Sequence, residues 1–167
     1  NAHDCSISAY EELMRPDVEP RVSPVQVIKY AEHLGRLYDV EKATFFNVIN
    51  CIENNKALFD GKKVFINSIP GEQLEGVDAE HLAVKLRKFS SSVVVELTEQ
   101  SEADDIALER MKESFHTIGV ETAVDDYGTG YSNIINLLRY APNYVKIDRM
   151  LLSGIDENQQ KQHFVKS

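Results

Sequence analysis

The 167-residue chain lacks a basic stripe, a cysteine framework and any long apolar run, and each absence closes off a class of function. Lys and Arg number 18 against 27 Asp and Glu, so the formal net charge is −9. Nucleic-acid polymers are bound by clustered cations that displace counterions from phosphates, so no DNA or RNA polymer is expected as a partner. A small anionic ligand remains compatible with this charge if metals carry positive charge locally. Cys5 and Cys51 are the only cysteines, with no paired spacing and no third ligand motif. That argues against a disulfide framework or a zinc site and predicts two ordinary reduced thiols in a cytoplasmic protein. No apolar run approaches the ~20 residues that span a bilayer. No basic segment leads into a signal-like apolar one, so a membrane anchor, if the parent protein has one, is expected elsewhere. Low-complexity stretches and linkers are missing too, and no internal domain boundary is placed.

What is present is an ordinary globular composition, 43% hydrophobic and 27% charged, enough for one domain with its own core. Short apolar runs alternate with helical patterns, the βα signature of a parallel sheet. Residues 5–10 (CSISAY) alternate weakly and lead into Glu11. Ser23-Pro24 opens a helix with a predicted buried face of Val27, Ile28, Ala31 and Leu34 before Gly35. Asp39 starts a longer helix with Val40, Ala43, Phe46, Ile49 and Ile52 at helical spacing. KVFI (63–66) ends at Asn67 and turns at Ile69-Pro70-Gly71, after which Asp78 caps a helix with Leu82, Leu86 and Phe89 inward. VVV (93–95) runs into Glu96, and a helix from about 102 carries Ile106, Met111 and Phe115 to a stop at Gly119. VETAV (120–124) ends at Asp125-Asp126; a short helix around 134–139 precedes YVKI (144–147), which contains Lys146 and reaches Asp148.

The chemistry gathers at the strand ends. Residues 125–133 (DDYGTGYSN) place two adjacent carboxylates at the end of an apolar run, followed at once by a glycine loop. Adjacent charges repel, and burying them costs several kcal/mol each unless a cation or donors offset it. An isolated DD-x-G is more often a solvated turn. Here, however, five successive strands end in polar groups: Glu11, Asn67, Glu96, Asp125 with Asp126, and Lys146. In parallel α/β folds and barrels this is the edge where reactive residues collect.

Taken together, these residues resemble the EAL family, bacterial phosphodiesterases that hydrolyse cyclic di-GMP to the linear dinucleotide. YEELMR (10–15) is similar to the family signature, FINSIP (65–70) to its asparagine motif, and VVVELTE (93–99) to its glutamate motif. DDYGTGYSN is similar to its loop motif and YVKID (144–148) to its lysine motif, all in order and at matching spacing. The resemblance implies an α/β fold, a modified TIM-like (β/α)8 barrel with one antiparallel strand, represented here by about five βα units. It implies a two-metal site held by Glu11, Asn67, Glu96, Asp125 and Asp126. An all-oxygen set of carboxylates and one amide independently suits Mg2+ or Mn2+ better than zinc.

By the same resemblance Lys146, Glu11 and Asp125 are the catalytic residues, with Lys146 against the nucleophilic water as proton acceptor or orienting group; beside two cations its pKa should fall. The bland alternative for Lys146 is a snorkelling lysine with a solvated ammonium, which its place at the end of a buried strand, flanked by Tyr144, Val145 and Ile147, disfavours. Leu13 and Arg15 match the residues beside the substrate phosphate, although Arg15 alone reads as a surface ion-pair partner. Asp148 either lies in the substrate cleft or pairs with Lys146. Glu99 matches the glutamate that steadies the loop after the aspartate pair; as a bare feature it is a helix-start acid. The ligand is expected to be cyclic di-GMP, with a homodimer formed through 127–135 and fusion to other signalling domains. No aromatic residue falls in a motif that marks a guanine-stacking partner. Two departures stand out: Tyr127 replaces the usual phenylalanine, and Glu12 replaces the alanine of the signature, on the strand face opposite Glu11.

A (β/α)8 barrel runs to ~250 residues, so residues 1–167 are expected to form an EAL-like domain incomplete at both ends. The family's first strand would precede Asn1, and a further glutamate ligand and a final glutamine would follow Ser167. The enzymatic expectation therefore has an alternative, a degenerate domain that binds cyclic di-GMP or a protein partner without catalysis. A sugar-phosphate isomerase-like barrel would instead need a phosphate-binding glycine loop late in the barrel, a region that residues 1–167 are not expected to reach.

Overall fold

The computed structural model describes residues 3–98, 105–128, 137 and 141–166. Five strands pair in parallel in chain order: β1 (Ala9–Glu12), β2 (Lys63–Asn67), β3 (Val93–Thr98), β4 (Glu121–Tyr127) and β5 (Tyr144–Ile147). Between them run α1 (Pro24–His33), α2 (Leu37–Asn54), the single turn α3 (Lys56–Phe59), α4 (Gly76–Arg87) and α5 (Asp105–Thr117). After β5 come α6 (Arg149–Leu152) and α7 (Gln159–Lys166).

The registers assign the two faces of the sheet. Asn67 pairs with Glu96, Glu96 with Ala123, and Ala123 with Tyr144. Residues paired in this way share a face and alternate along each strand, which puts Glu11, Asn67, Glu96, Asp125 and Lys146 on one side. Lys63, Phe65, Glu121 and Tyr144 fill the lower layer of that side: Lys63 pairs with Glu121, Tyr144 donates to Glu121 at 3.2 Å, and the Phe65 and Tyr144 rings meet edge-on at 5.4 Å. The opposite face carries Val64, Ile66, Val93 and Val95, all 0% exposed, beneath the helices. A strand covered on both sides reads as a continuous apolar run, which is why VVV at 93–95 shows no alternation.

Strong curvature follows from one distance. β1 and β5 stand four places apart, roughly 19 Å in a flat sheet, yet Lys146 Nζ on β5 lies 3.2 Å from Glu11 Oε2 on β1. The sheet curls into a half-barrel with the polar face inside.

Several sequence expectations shift by a residue or a face. β1 begins at Ala9, later than the 5–10 run. α2 begins at Leu37 and buries Glu41, Phe45, Val48, Ile49 and Ile52, whereas Ala43 is exposed and Val40 and Phe46 are half-buried. Both stripes repeat at helical spacing, and packing against β2 and α4 selects the one containing a glutamate. In α1 only Ala31 is buried and Leu34 is exposed. Ser23 caps that helix as expected, with a reciprocal bond to Gln26. Asp78 is not the cap of α4; Glu75 takes that position, and Asp78 in the first turn accepts from Tyr38 and pairs with Lys42. α5 buries Met111 and Phe115 and ends at Gly119, where φ is +78°. The expected helix at 134–139, apart from Leu137, lies outside the described residues, as do Glu99, Gly130 and most of the 127–135 loop.

Candidate active site

The polar strand ends converge. Oxygens of Glu11, Glu96 and Asp125 lie within 4.8 Å of one another. Lys146 Nζ sits among them, 2.7 Å from Glu96 Oε1, 3.2 Å from Glu11 Oε2 and 3.4 Å from Asp125 Oδ2. Asn67 joins from β2, its Nδ2 donating to Glu11 Oε1 at 3.3 Å, so that its Oδ1 is the atom suited to a cation. Four strands and the lysine strand thus deliver one side chain each to a common point.

Glu96 is the centre of the electrostatics. Its residue is 0% exposed, and apart from the Lys146 ammonium no donor among the described residues reaches either carboxylate oxygen. Burial pushes its carboxyl up, with the Asp125 and Glu11 charges adding to the effect and Lys146 opposing it. A buried carboxylate left this poorly satisfied is costly. An oxygen-only set around it has the chemistry to hold a hard divalent cation, so the residues fit Mg2+ or Mn2+. Burial works against the Lys146 charge as well. The neighbouring Glu96, Asp125 and Glu11 outweigh it, and the lysine pKa is raised; the expected fall applies to a site that contains the cations.

The adjacent aspartates diverge. Ladder pairing breaks between Val124 and Tyr127, and Asp126 adopts φ +55°. This bulge leaves Asp125 on the inner face and sets the exposed Asp126 beside the three-carboxylate cluster, its N–H donating to Asp125 Oδ1 at 2.9 Å. Partial burial and the Asp125 and Asp148 charges raise the Asp126 pKa. Gly128 follows at φ +105°, where a Cβ would fall 1.9 Å from Leu151 Cδ1. Only glycine fits there without movement.

The remaining candidates stand outside this cluster. Asp148 accepts from Met150 N at 2.6 Å and caps α6, while its own N–H donates to the Tyr127 carbonyl at 3.0 Å. The Lys146 ion pairs go to Glu96, Glu11 and Asp125 instead. Leu13 is 50% exposed, and Arg15 Nη1 donates to the Met14 carbonyl at 2.8 Å. Both line a groove of about 1140 Å³ with Glu12, Val27, Tyr30 and Val48, and none of the clustered carboxylates faces it. The groove is mostly apolar; the converging charges mark the candidate site. One buried acid escaped the sequence reading: Glu41, whose only signal is its place four residues before Phe45 on a helix that repeats apolar residues. Burial pushes its carboxyl up to about 7.

The EAL domain profile matches residues 3–167. The chain belongs to the EAL domain family. Among relatives, a probable cyclic di-GMP phosphodiesterase, PdeN of Escherichia coli (strain K12), is 29% identical over 155 residues, covering 89% of this chain and 30% of that protein. Among solved structures, a standalone EAL protein from Vibrio cholerae O395 in its c-di-GMP-bound form aligns with a TM-score of 0.77 at 24% identity. That alignment covers 95% of this chain and 67% of the other. Klebsiella pneumoniae BlrP1, solved with manganese and cy-diGMP, gives a TM-score of 0.75 at 23% identity, covering 95% of this chain and 40% of that one. This EAL chain therefore has the fold of those barrels and spans about 30% of the length of the E. coli relative. Among the described residues no helix is long and apolar enough to cross a membrane.

Proposed function

We propose that this EAL domain, within its intact protein, is a metal-dependent phosphodiesterase that hydrolyses cyclic di-GMP to linear pGpG. The supporting observation is the convergence of Glu11, Glu96 and Asp125 around Lys146, with Glu96 wholly buried and given no other donor among the described residues. Glu11, Asn67, Glu96, Asp125 and Asp126 would hold two Mg2+ or Mn2+ ions. When bound, these ions supply Lewis acidity toward a water and a phosphate oxygen. The relatives' names and the manganese complex of BlrP1 support the same chemistry.

The residues then divide the work. Lys146, whose Nζ lies among the carboxylates of Glu96, Glu11 and Asp125, would orient the attacking water. The water oxygen bonds to phosphorus as the phosphorus–O3′ bond breaks; one proton of the water ends on the freed 3′ oxygen and the other on the new 5′-phosphate or in solvent, so one water is consumed. Arg15 holds the substrate phosphate, Leu13 packs beside it, and Asp148 borders the cleft from the cap of α6. Association through 127–135, steadied by Glu99, and fusion to other signalling domains belong to the same reading, as does a cytoplasmic location.

The test is direct. The full-length protein with Mn2+ should convert cyclic di-GMP to pGpG, resolved by chromatography, and Glu96→Gln should abolish turnover. Binding of cyclic di-GMP with no product over hours would establish the non-catalytic receptor instead.

A further inference from the structure

Glu41 is a buried acid for which the proposed reaction has no use. It lies on α2, on the helix side of the sheet, and is 1% exposed. Both carboxylate oxygens are engaged: Oε1 accepts from the Ser68 hydroxyl and Oε2 from the Ile69 N–H at 2.9 Å. Those donors belong to the first two residues after Asn67. The Ser68 N–H in turn donates to the Glu96 carbonyl at 3.1 Å, extending the β2–β3 ladder one step beyond the paired Asn67 and Glu96. The backbone leaving Asn67 is therefore gripped from two sides, by β3 and by a carboxylate reaching down from α2. Just beyond, the chain reverses, with Glu72 N–H donating to the Ile69 carbonyl at 3.1 Å and Gly71 at φ +83°. A glutamate at this depth, lining a small cavity with Phe45 and Met111, is expensive to desolvate, and an apolar side chain would fill the space without that cost.

We propose that Glu41 is a positioning residue for Asn67, clamping Ser68 and Ile69 so that the Asn67 amide leaves β2 aimed into the carboxylate cluster. Groups that ligate a metal act only within a few tenths of an ångström of their working geometry, and the groups behind them set it. The inference rests on Asn67 being a metal ligand.

A double-mutant cycle tests it in the full-length protein, read as the Mn2+ midpoint of thermal stabilisation for wild type, Glu41→Ala, Asn67→Ala and the pair. Glu41→Ala should weaken the Mn2+ midpoint about tenfold, in the range seen for groups that orient ligands. The pair should bind no more weakly than Asn67→Ala alone, because both changes remove one interaction. Glu41→Gln, which keeps an acceptor for Ile69 N–H and a partner for the Ser68 hydroxyl, should restore most of the affinity. Ile52→Ala, a core truncation at the far end of α2, should lower stability without moving the midpoint. If Glu41→Ala does not fold, Ser68→Ala takes its place in the cycle. Additive losses, or an equal loss in Ile52→Ala, would overturn the assignment of Glu41 while leaving the metal site intact. A wild-type protein with no Mn2+ response would overturn the metal site and this inference with it.

Discussion

Replacing Lys146 by methionine separates two consequences of one charge. In the structure the ammonium pairs with three carboxylates at 2.7, 3.2 and 3.4 Å, one of them wholly buried. Removing one partner of a buried ion pair costs about 3–5 kcal/mol. Lys146 is 31% and Glu11 38% exposed at the side chain, so solvent recovers part of that, and about 2 kcal/mol is the working figure. The metal-free Lys146→Met protein should therefore melt roughly 4–8 °C lower. A divalent cation entering the mutant meets carboxylates without an internal counter-ion and without a neighbouring positive charge. Its affinity should rise by the same ~2 kcal/mol, about thirtyfold, even though turnover is lost. Calorimetric melting against Mn2+ concentration reads both effects, with Lys85→Met, which loses the Glu53 pair at 3.1 Å and the Asn50 contact at 3.5 Å, as control. If Lys146→Met binds Mn2+ no more tightly than wild type, the ammonium is not the counter-ion of this site and the electrostatic argument fails.

Three further outcomes are expected. Gly128→Ala should destabilise by about 1–3 kcal/mol, because its Cβ would meet Leu151 at 1.9 Å from a backbone at φ +105°; adding Leu151→Ala should return part of the loss in a melting experiment, and a neutral Gly128→Ala would contradict the close approach of this turn to Leu151. The Glu41 carboxyl has a folded pKa of about 7, above its ordinary 4.5, so its contribution to stability is complete below about pH 4.5 and lost as pH rises through 7. Glu41→Gln should gain on wild type by up to roughly 3 kcal/mol between pH 4.5 and 8, and parallel stability profiles would refute the shift. Glu99→Ala, tested by turnover and sedimentation together, should lower activity and weaken association if the loop beyond Asp126 couples the two; no change in either would leave Glu99 a helix-start acid.

Much of the site was legible because strand ends advertise themselves. Each candidate ligand lies at or near the carboxyl end of a strand-like run, and in a parallel sheet those positions share one edge. Glu41 was not legible: on α2 two stripes satisfy helical spacing, and an acid on the buried one looks like a surface residue until β2 is packed beneath it. Asp78 failed similarly, since a first-turn acid and a cap differ by a few residues in sequence but by a hydrogen bond in space.

The βα order, the parallel pairing and the family could be read from the chain alone, because apolar period, turn residues and motif spacing are local properties. Which groups meet is settled by the folded sheet. The curl of the sheet brings Lys146 to Glu11 across three intervening strands, and the bulge at Asp126 parts two neighbouring aspartates. Burial then leaves Glu96 with little but an ammonium beside it. These depend on accumulated strand twist, a break in one ladder and the exclusion of water, which are set by packing the whole sheet rather than by any short stretch of residues.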